Sequence, residues 1–239
     1  MTQLEICINA DHPMLETNVT AALLGGASRI ELCADMQLQG MTPDFTAMQQ
    51  ARSAFAGQPG LLVMVRFRTD DQIQTEADLT AMQQAIVQAA DAGADGVVLG
   101  LLTRQRQLDL PALKLLVAQA KQLGLQLTFH RAFDAIHDQQ QALSQLIDLG
   151  FDRVLSAGTL WGSDLGVMQG LDRLLQLKIR AAGRIELVVG GGINLDNLAT
   201  VSHRLKPAGQ LWSVHSYSAV LSQGKVDQEK VAAMARLCQ

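Results

Sequence analysis

The chain has 239 residues, 48% of them hydrophobic, and a formal net charge of −4. The length suits one α/β barrel, and the acidic balance without a basic run argues against nucleic acid as a partner. No stretch approaches the roughly 18 apolar residues of a membrane helix. No signal peptide is evident in the first residues, and three cysteines do not make a disulfide framework. We therefore expect a soluble, cytoplasmic protein.

Eight short apolar runs predict strands, in chain order, near 3–8, 28–33, 61–67, 96–100, 126–131, 153–157, 185–190 and 211–216. Helix starts lie between them. A capping residue comes shortly before each of Pro13, Pro43 and Pro111, and proline is suited to the first turn of a helix. Residues 75–78 resemble a capping box, and further helices are expected to begin near 194–196 and at 227.

A weak internal repeat favours a closed arrangement of these strands. Gly26, Gly93 and Gly150 each follow an amphipathic segment and precede a β-branched run, with 207–212 as a degenerate fourth copy. They lie roughly 60 residues apart, about two βα units each. Eight strands in strict alternation with helices therefore predict an α/β fold, a (β/α)8 or TIM barrel, as a single domain over 1–239. A flavodoxin-like doubly wound sheet is the rival interpretation.

Ionisable groups collect where several predicted strands end. The run 125–134 begins as a buried strand and ends in His130, Arg131 and Asp134. Because residues two apart share one face of a strand, several polar pairs are predicted to face the same side. These pairs are Glu5 with Cys7, Glu31 with Cys33, Arg66 with Arg68, Thr128 with His130, and Ser213 with His215. If these faces point inward, the groups occupy the C-terminal end of the barrel, where barrel enzymes work.

Two interpretations of this cluster remain open. In one, Glu5 and Glu31 pair with Arg66 and Arg68 as a buried structural network. In the other, Arg66 and Arg68 bind an anion, and Glu31 or His130 exchanges a proton. The candidate catalytic residues in that second interpretation are Glu31, His130, Asp134 and His215.

A glycine run, Gly190, Gly191 and Gly192, follows the seventh predicted strand, and Ser216 ends the eighth. Glycines between a strand and a helix can direct backbone N–H groups toward an anion, and in barrels these loops often bind phosphate. The run is therefore a candidate anion site. A tight turn that needs positive φ explains it equally well.

Cys7 and Cys33 are expected at matching heights on adjacent parallel strands, about 4.8 Å apart. Two thiolates at that spacing suit a soft ion such as Cu(I). The alternative is that both are small buried hydrophobic residues, the usual role of a free cysteine. Cys238, near the terminus, is expected to be incidental.

Taken together, these segments resemble the CutC family of copper-homeostasis proteins. The similar motifs are Leu4-Glu5-Ile6-Cys7, Arg29-Ile30-Glu31-Leu32-Cys33-Ala34, Gly40-Met41-Thr42-Pro43, Thr128-Phe129-His130-Arg131-Ala132-Phe133-Asp134, Arg153-Val154-Leu155-Ser156-Ala157-Gly158 and Val214-His215-Ser216. The resemblance implies a cytoplasmic (β/α)8 barrel that forms homo-oligomers and binds Cu(I) at Cys7 and Cys33. It also implies a barrel face that looks like that of an enzyme, with no reaction assigned.

The chain departs from the family pattern in the loop after the third strand, where it keeps Arg66 and Arg68 but lacks the usual glycines, and also at Gln39, Thr159 and Tyr217. Three hypotheses follow from the sequence. The first is a copper-handling protein with Cu(I) as its ligand. The second is an enzyme acting on a small anionic or phosphorylated metabolite, and the third is an interaction scaffold. Neither nucleic acid nor a membrane is expected as a partner.

Overall fold

The structure, a computed structural model, describes residues 2–206 and 211–239. Eight parallel strands pair in chain order, and β1 closes the barrel by pairing with β8. The strands are β1 Gln3–Asn9, β2 Arg29–Cys33, β3 Leu61–Met64, β4 Gly96–Leu99, β5 Gln126–Phe129, β6 Arg153–Ser156, β7 Glu186–Val189 and β8 Trp212–Ser216. Closure confirms the predicted (β/α)8 barrel and excludes the doubly wound sheet.

Helices alternate with the strands around the barrel. They are α1 Leu15–Leu24, α2 Phe45–Ala54, α3 Glu76–Asp91, α4 Leu110–Gln122, α5 Gln139–Leu149, α6 Val167–Ala181, α7 Leu198–Leu205 and α8 Gln228–Leu237. A two-stranded hairpin, β9 Leu221–Ser222 and β10 Lys225–Val226, precedes α8. Among the described helices, none combines the length and the apolar character needed to cross a membrane.

Local sequence rules predicted some helix starts correctly. Asp109 caps α4, Asp227 caps α8, and Thr75 forms a capping box with Asp78 at the start of α3. The helix starts predicted at the capping residues before Pro13 and Pro43 are wrong. Asp44 caps α2, and α1 begins only at Leu15, without a side-chain cap.

The three repeat glycines share one backbone conformation. Gly26, Gly93 and Gly150 follow α1, α3 and α5 and have φ of +92°, +80° and +83°. This left-handed conformation closes a helix and favours glycine, as the repeat predicted. The proposed fourth copy, 207–212, lies mostly outside the described residues.

Each strand presents an apolar side to the surrounding helices. On β1, the alternate residues Leu4, Ile6 and Ile8 are fully buried and belong to the same core cluster as Val19 and Ala22 of α1. Burial of one such aliphatic side chain contributes about 1.5–3 kcal/mol. The layer between strands and helices therefore supplies most of the apolar core. The opposite, inner side carries the polar groups of β1 and β2 beside apolar residues of β3 and β4.

An ionic network fills the N-terminal half of the barrel interior, and Arg29 is its centre. Arg29 donates hydrogen bonds to Glu5 (2.9 Å), Glu186 (2.7 Å) and Ser213 (2.7 Å). The expected pairing of Glu5 with Arg66 or Arg68 is therefore wrong. The cation comes from β2, two residues before Glu31 on the same strand face.

Two of the strands end two or three residues earlier than predicted. β3 ends at Met64 and β5 at Phe129, so Arg66, Arg68 and His130 lie beyond the strands. The prediction that Arg68 faces inward is wrong. Its side chain is exposed and pairs with Asp70, because strand alternation no longer applies once the chain has turned away from the sheet.

Candidate functional site

A cavity of about 550 Å³ opens at the C-terminal end of the barrel. It gathers polar groups from several strands and loops. Its polar lining includes Cys7, Glu31, Cys33, Arg66, Asp71, His130, Arg131 and His215, and the loop 161–165 forms part of its wall. The structure thus brings together most of the ionisable residues that the strand pattern predicted to face inward.

The two thiols and Glu31 form a compact group on the cavity wall. Their sulfur and carboxylate oxygen atoms lie within 4.8 Å of one another. The expectation of matching heights is wrong, because Cys7 stands opposite Glu31 and Cys33 stands opposite Asn9. The two sulfurs approach each other diagonally, between positions offset by two residues on the adjacent strands β1 and β2. A hydrogen bond between the thiols lowers the pKa of Cys7 to about 6 and raises that of Cys33 well above its ordinary value, so Cys7 is the thiolate.

His215 links this group to the ionic network. Its Nδ1 lies 2.9 Å from Oε1 of Glu5. Burial alone would raise the pKa of Glu5, but the hydrogen bond with His215 and the charge of Arg29 lower it to about 2. Burial likewise opposes protonation of His215, yet Glu31, Cys7 and Glu5 together raise its pKa well above the ordinary value. Glu5 and His215 therefore form a buried ion pair.

Glu31 is the less satisfied of the two interior glutamates. Its Oε2 lies 3.6 Å from Nε2 of His215, and its buried Oε1 has no hydrogen-bond partner among the described residues. Burial is the main cause that raises the pKa of Glu31 to about 8. At neutral pH Glu31 is therefore a carboxylic acid with a proton available to a ligand in the cavity.

His130 is a neutral imidazole with a fixed tautomer. Its Nδ1 accepts a hydrogen bond from the N–H of Ala132 (3.1 Å), so the proton is on Nε2. Nε2 is buried, lies 3.6 Å from Oδ1 of Asp71 and has no hydrogen-bond partner within the described ranges. Burial lowers the pKa of His130 to about 4. The residue can therefore donate a hydrogen bond, and it carries no charge at neutral pH.

Arg66 has little capacity left for a ligand. Its Nε donates to Asp71 (2.6 Å), and its Nη atoms donate to the carbonyls of Leu38, Gly40 and Thr69. The guanidinium therefore connects the loop after β2 with the loop after β3. Its counterion is Asp71, a loop residue that no strand pattern or motif pointed to.

Arg131 is the other guanidinium on the cavity wall. Its Nε donates to Oδ2 of Asp134 (2.9 Å), and its guanidinium carbon lies 5.1 Å from the ring centre of Trp161. Asp134 is fully buried behind Arg131, where it also accepts hydrogen bonds from Ser156 and Ala157. Although proposed as catalytic, Asp134 does not line the cavity. Its geometry is that of a residue that positions Arg131.

The predicted anion site after β7 and β8 has some groups that already make hydrogen bonds within the protein and others that do not. The N–H of Gly190 donates to the carbonyl of Ser156, and the hydroxyl of Ser216 donates to the carbonyl of Ile193. Gly191 and Gly192 have φ of +84° and +93°. Their N–H groups donate to no acceptor in the part of the chain that the structure describes. Of the four residues predicted here, Gly191 and Gly192 therefore keep an unused N–H donor, although neither glycine is among the residues that line the cavity.

A closed parallel barrel with a polar cavity at its C-terminal end defines a TIM-barrel protein with its candidate site at the usual place. The chain belongs to the CutC family, whose model matches residues 2–216. It is 38% identical to a family protein CutC from Vibrio campbellii (strain ATCC BAA-1116), over 86% of this chain and 78% of that protein.

Solved structures agree on the architecture. A proposed copper homeostasis protein CutC from Streptococcus agalactiae aligns with a TM-score of 0.78 at 27% identity, covering 91% of this chain and 99% of that one. The tryptophan synthase alpha chain from Legionella pneumophila aligns with a TM-score of 0.66 at 14% identity, covering 99% and 91%. The second similarity concerns the fold alone.

Proposed function

We propose that this chain binds Cu(I) through Cys7 and Cys33 and takes part in copper homeostasis. The supporting observation is that the two sulfurs and the Glu31 carboxylate lie within 4.8 Å of one another. Metal–thiolate bonds of about 2.3 Å, the length known for zinc, span up to about 4.6 Å when the ion lies between two sulfurs. The pair can therefore hold one ion with little movement of the backbone.

The surroundings of the thiols favour a soft ion. Cys7 and Cys33 belong to a small buried cluster with Leu62, Met64 and Val98. Such an apolar wall offers thiolate and thioether sulfur, which select Cu(I) over harder ions. A purely apolar role for the cysteines would not require a buried carboxylate beside them, and Glu31 therefore favours the ligand interpretation.

The thiol pair is suited to metal binding rather than to a disulfide. Because Cys7 and Cys33 are offset by two residues across neighbouring strands, their Cα atoms are on the order of 8 Å apart. Disulfides need Cα atoms within about 7 Å. Because the site requires reduced thiols, we propose that the protein acts in the cytoplasm. Separately, the family resemblance leads us to propose a homo-oligomer, which analytical ultracentrifugation would test.

Anaerobic titration with Cu(I) against a chromogenic chelator tests the proposal. We expect one Cu(I) per chain, lost in Cys7→Ser and in Cys33→Ser. Cys238→Ser is the matched control, because this buried cysteine is outside the cavity lining, and it should keep full stoichiometry. Zn²⁺ should compete poorly. Full copper stoichiometry in the Cys7→Ser, Cys33→Ser double variant would refute the proposal.

A second candidate function is supported by a different observation. Two buried atoms of cavity-lining residues, Oε1 of Glu31 and Nε2 of His130, have no hydrogen-bond partner among the described residues. Unpaired buried polar atoms cost free energy, and ligand binding can recover it. We propose an enzyme acting on a small anionic metabolite, in which Glu31 exchanges a proton and neutral His130 polarises a carbonyl oxygen.

The two candidates make different demands on Glu31, which would be deprotonated as a metal ligand and protonated as an acid. Hydrogen–deuterium exchange at carbon in pyruvate and in dihydroxyacetone phosphate, followed by NMR in D₂O with copper chelated, tests the second. We expect exchange with at least one compound, lost in both Glu31→Gln and His130→Asn. Exchange that is absent in the wild type, or unchanged in Glu31→Gln, would refute the proton-transfer role and leave the copper proposal intact.

A further inference from the structure

We propose that Arg131 and the N–H groups of Gly191 and Gly192 form an oxyanion-binding subsite at the rim of the cavity. This subsite would hold the phosphate or carboxylate group of a small organic ligand. The inference deepens the second candidate function, on which it rests, and it replaces Arg66 and Arg68 with Arg131 as the guanidinium that binds the anion.

Arg131 is the cavity-lining arginine whose terminal nitrogens are free. Only its Nε is engaged, by Asp134, and neither Nη atom donates a hydrogen bond to any described residue. The pair with Asp134 and the face of Trp161 fix the plane of the guanidinium. A planar group with both Nη atoms free can bind a carboxylate or phosphate through two parallel hydrogen bonds.

The glycine loop lies directly against this guanidinium. A Cβ atom added to Gly191 would stand 3.4 Å from Nη1 of Arg131 and only 2.5 Å from the Cβ of Ala157. A side chain at this position would therefore clash with Ala157, and the loop would have to shift from its present position beside Arg131. Glycine allows this close approach to Arg131 at Gly191. Gly191 and the next residue, Gly192, both have positive φ, and their N–H groups donate to no acceptor among the described residues, which makes them available to an anion held by Arg131.

The position of the subsite restricts the class of ligand. Arg131 and His130 are consecutive residues that both line the cavity, and the cavity continues to Glu31. A ligand anchored at the rim by its anionic end would thus extend a few atoms inward, toward the two unpartnered polar atoms. The geometry fits a small organic phosphate or carboxylate with a carbonyl or hydroxyl group near the charged end.

Calorimetric titration with inorganic phosphate and, separately, with acetate tests the subsite and shows which oxyanion it prefers. We expect the affinity for the preferred anion to fall about tenfold or more in Arg131→Gln and less in Arg131→Lys, which keeps the charge but loses the planar pair of donors. Arg68→Gln is the matched control. It removes an exposed arginine that pairs with Asp70 and should bind like the wild type.

The backbone amide signals of Gly191 and Gly192, followed by NMR in the wild-type protein, provide a second measurement that does not depend on a variant folding. We expect both amides to shift on titration with the preferred anion. Unshifted amides, or equal affinity in Arg131→Gln and the wild type, would overturn the inference. Anion binding at these amides without any proton exchange in the metabolite assay would keep the subsite and refute the enzyme proposal.

Discussion

Glu5 and Glu31 offer a matched pair of perturbations, because both are buried inside the barrel on adjacent strands. We predict that the same substitution, glutamate to glutamine, changes stability in opposite directions at the two positions. At Glu5 it removes a charge that the fold stabilises. At Glu31 it removes a carboxyl group that the fold keeps from ionising.

The magnitude at Glu5 follows from its pKa of about 2, compared with an ordinary value of 4.5. A depressed carboxyl pKa stabilises the folded state above pH 4.5, and this contribution is lost as the pH falls toward 2. The difference corresponds to about 3 kcal/mol, at roughly 1.36 kcal/mol per pH unit. Glu5→Gln should therefore lose about 3 kcal/mol at pH 7 and show a flatter pH dependence between 4.5 and 2.

At Glu31 the pKa is raised to about 8. Between pH 4.5 and 8 the unfolded chain releases this proton while the folded chain retains it, so folding becomes less favourable as the pH rises. At pH 7 the accumulated cost is about 3 kcal/mol. Glu31→Gln should therefore raise the stability at pH 7 by up to about 3 kcal/mol, and this gain should disappear below pH 4.5.

Urea unfolding of both variants from pH 4 to 8, with chelator and reductant present, measures these effects. Glu16→Gln is a suitable control, because this residue is exposed and its substitution should change the stability by no more than about 0.5 kcal/mol. Loss of stability in Glu31→Gln at pH 7, combined with no loss in Glu5→Gln, would show that the assignment of charges inside the barrel is wrong.

Two further predictions concern His130 and the start of α3. The imidazole nitrogen shifts of His130 should show a proton on Nε2 and no titration between pH 5 and 8, since burial lowers its pKa to about 4. A midpoint above pH 6 would contradict this. Thr75→Ala should destabilise the protein by about 1 kcal/mol in urea unfolding, because Thr75 caps α3. Thr80→Ala, within the same helix and bonded only to the carbonyl of Glu76, should cost clearly less, and an equal cost would refute the capping argument.

Strand alternation predicted the interior of the barrel well wherever the strand continues. Glu5 with Cys7 and Glu31 with Cys33 do share the inner face, and counting back two residues from Glu31 would also have found Arg29. The rule failed at Arg68, because β3 ends at Met64 and a residue in a loop has no alternation to follow.

Other parts of the site could not be read from local sequence. The diagonal meeting of Cys7 and Cys33 depends on the stagger of neighbouring strands in the closed barrel, which a strand pattern does not contain. We assign anion binding to Arg131 and not to Arg66 because carbonyl groups of a different loop accept the hydrogen bonds that Arg66 can donate. A local sequence pattern does not contain that contact. The His-Arg-Ala-Phe-Asp run did place Arg131 and Asp134 three residues apart, the spacing at which they pair.

The barrel interior contains ionisable groups at both ends, and the two ends differ in how far they are satisfied. Around Arg29, hydrogen bonds occupy both Glu5 and Glu186. The neighbouring Arg153, at the start of β6, donates to Thr128 and Gln126, and its Nη2 has no partner among the described residues. Around the cavity, Glu31, His130 and Arg131 each keep an unused donor or acceptor. A network that served stability alone would be expected to satisfy the buried groups of Glu31 and His130, because burial without a partner is unfavourable. The unsatisfied end is therefore the one to which we assign a ligand.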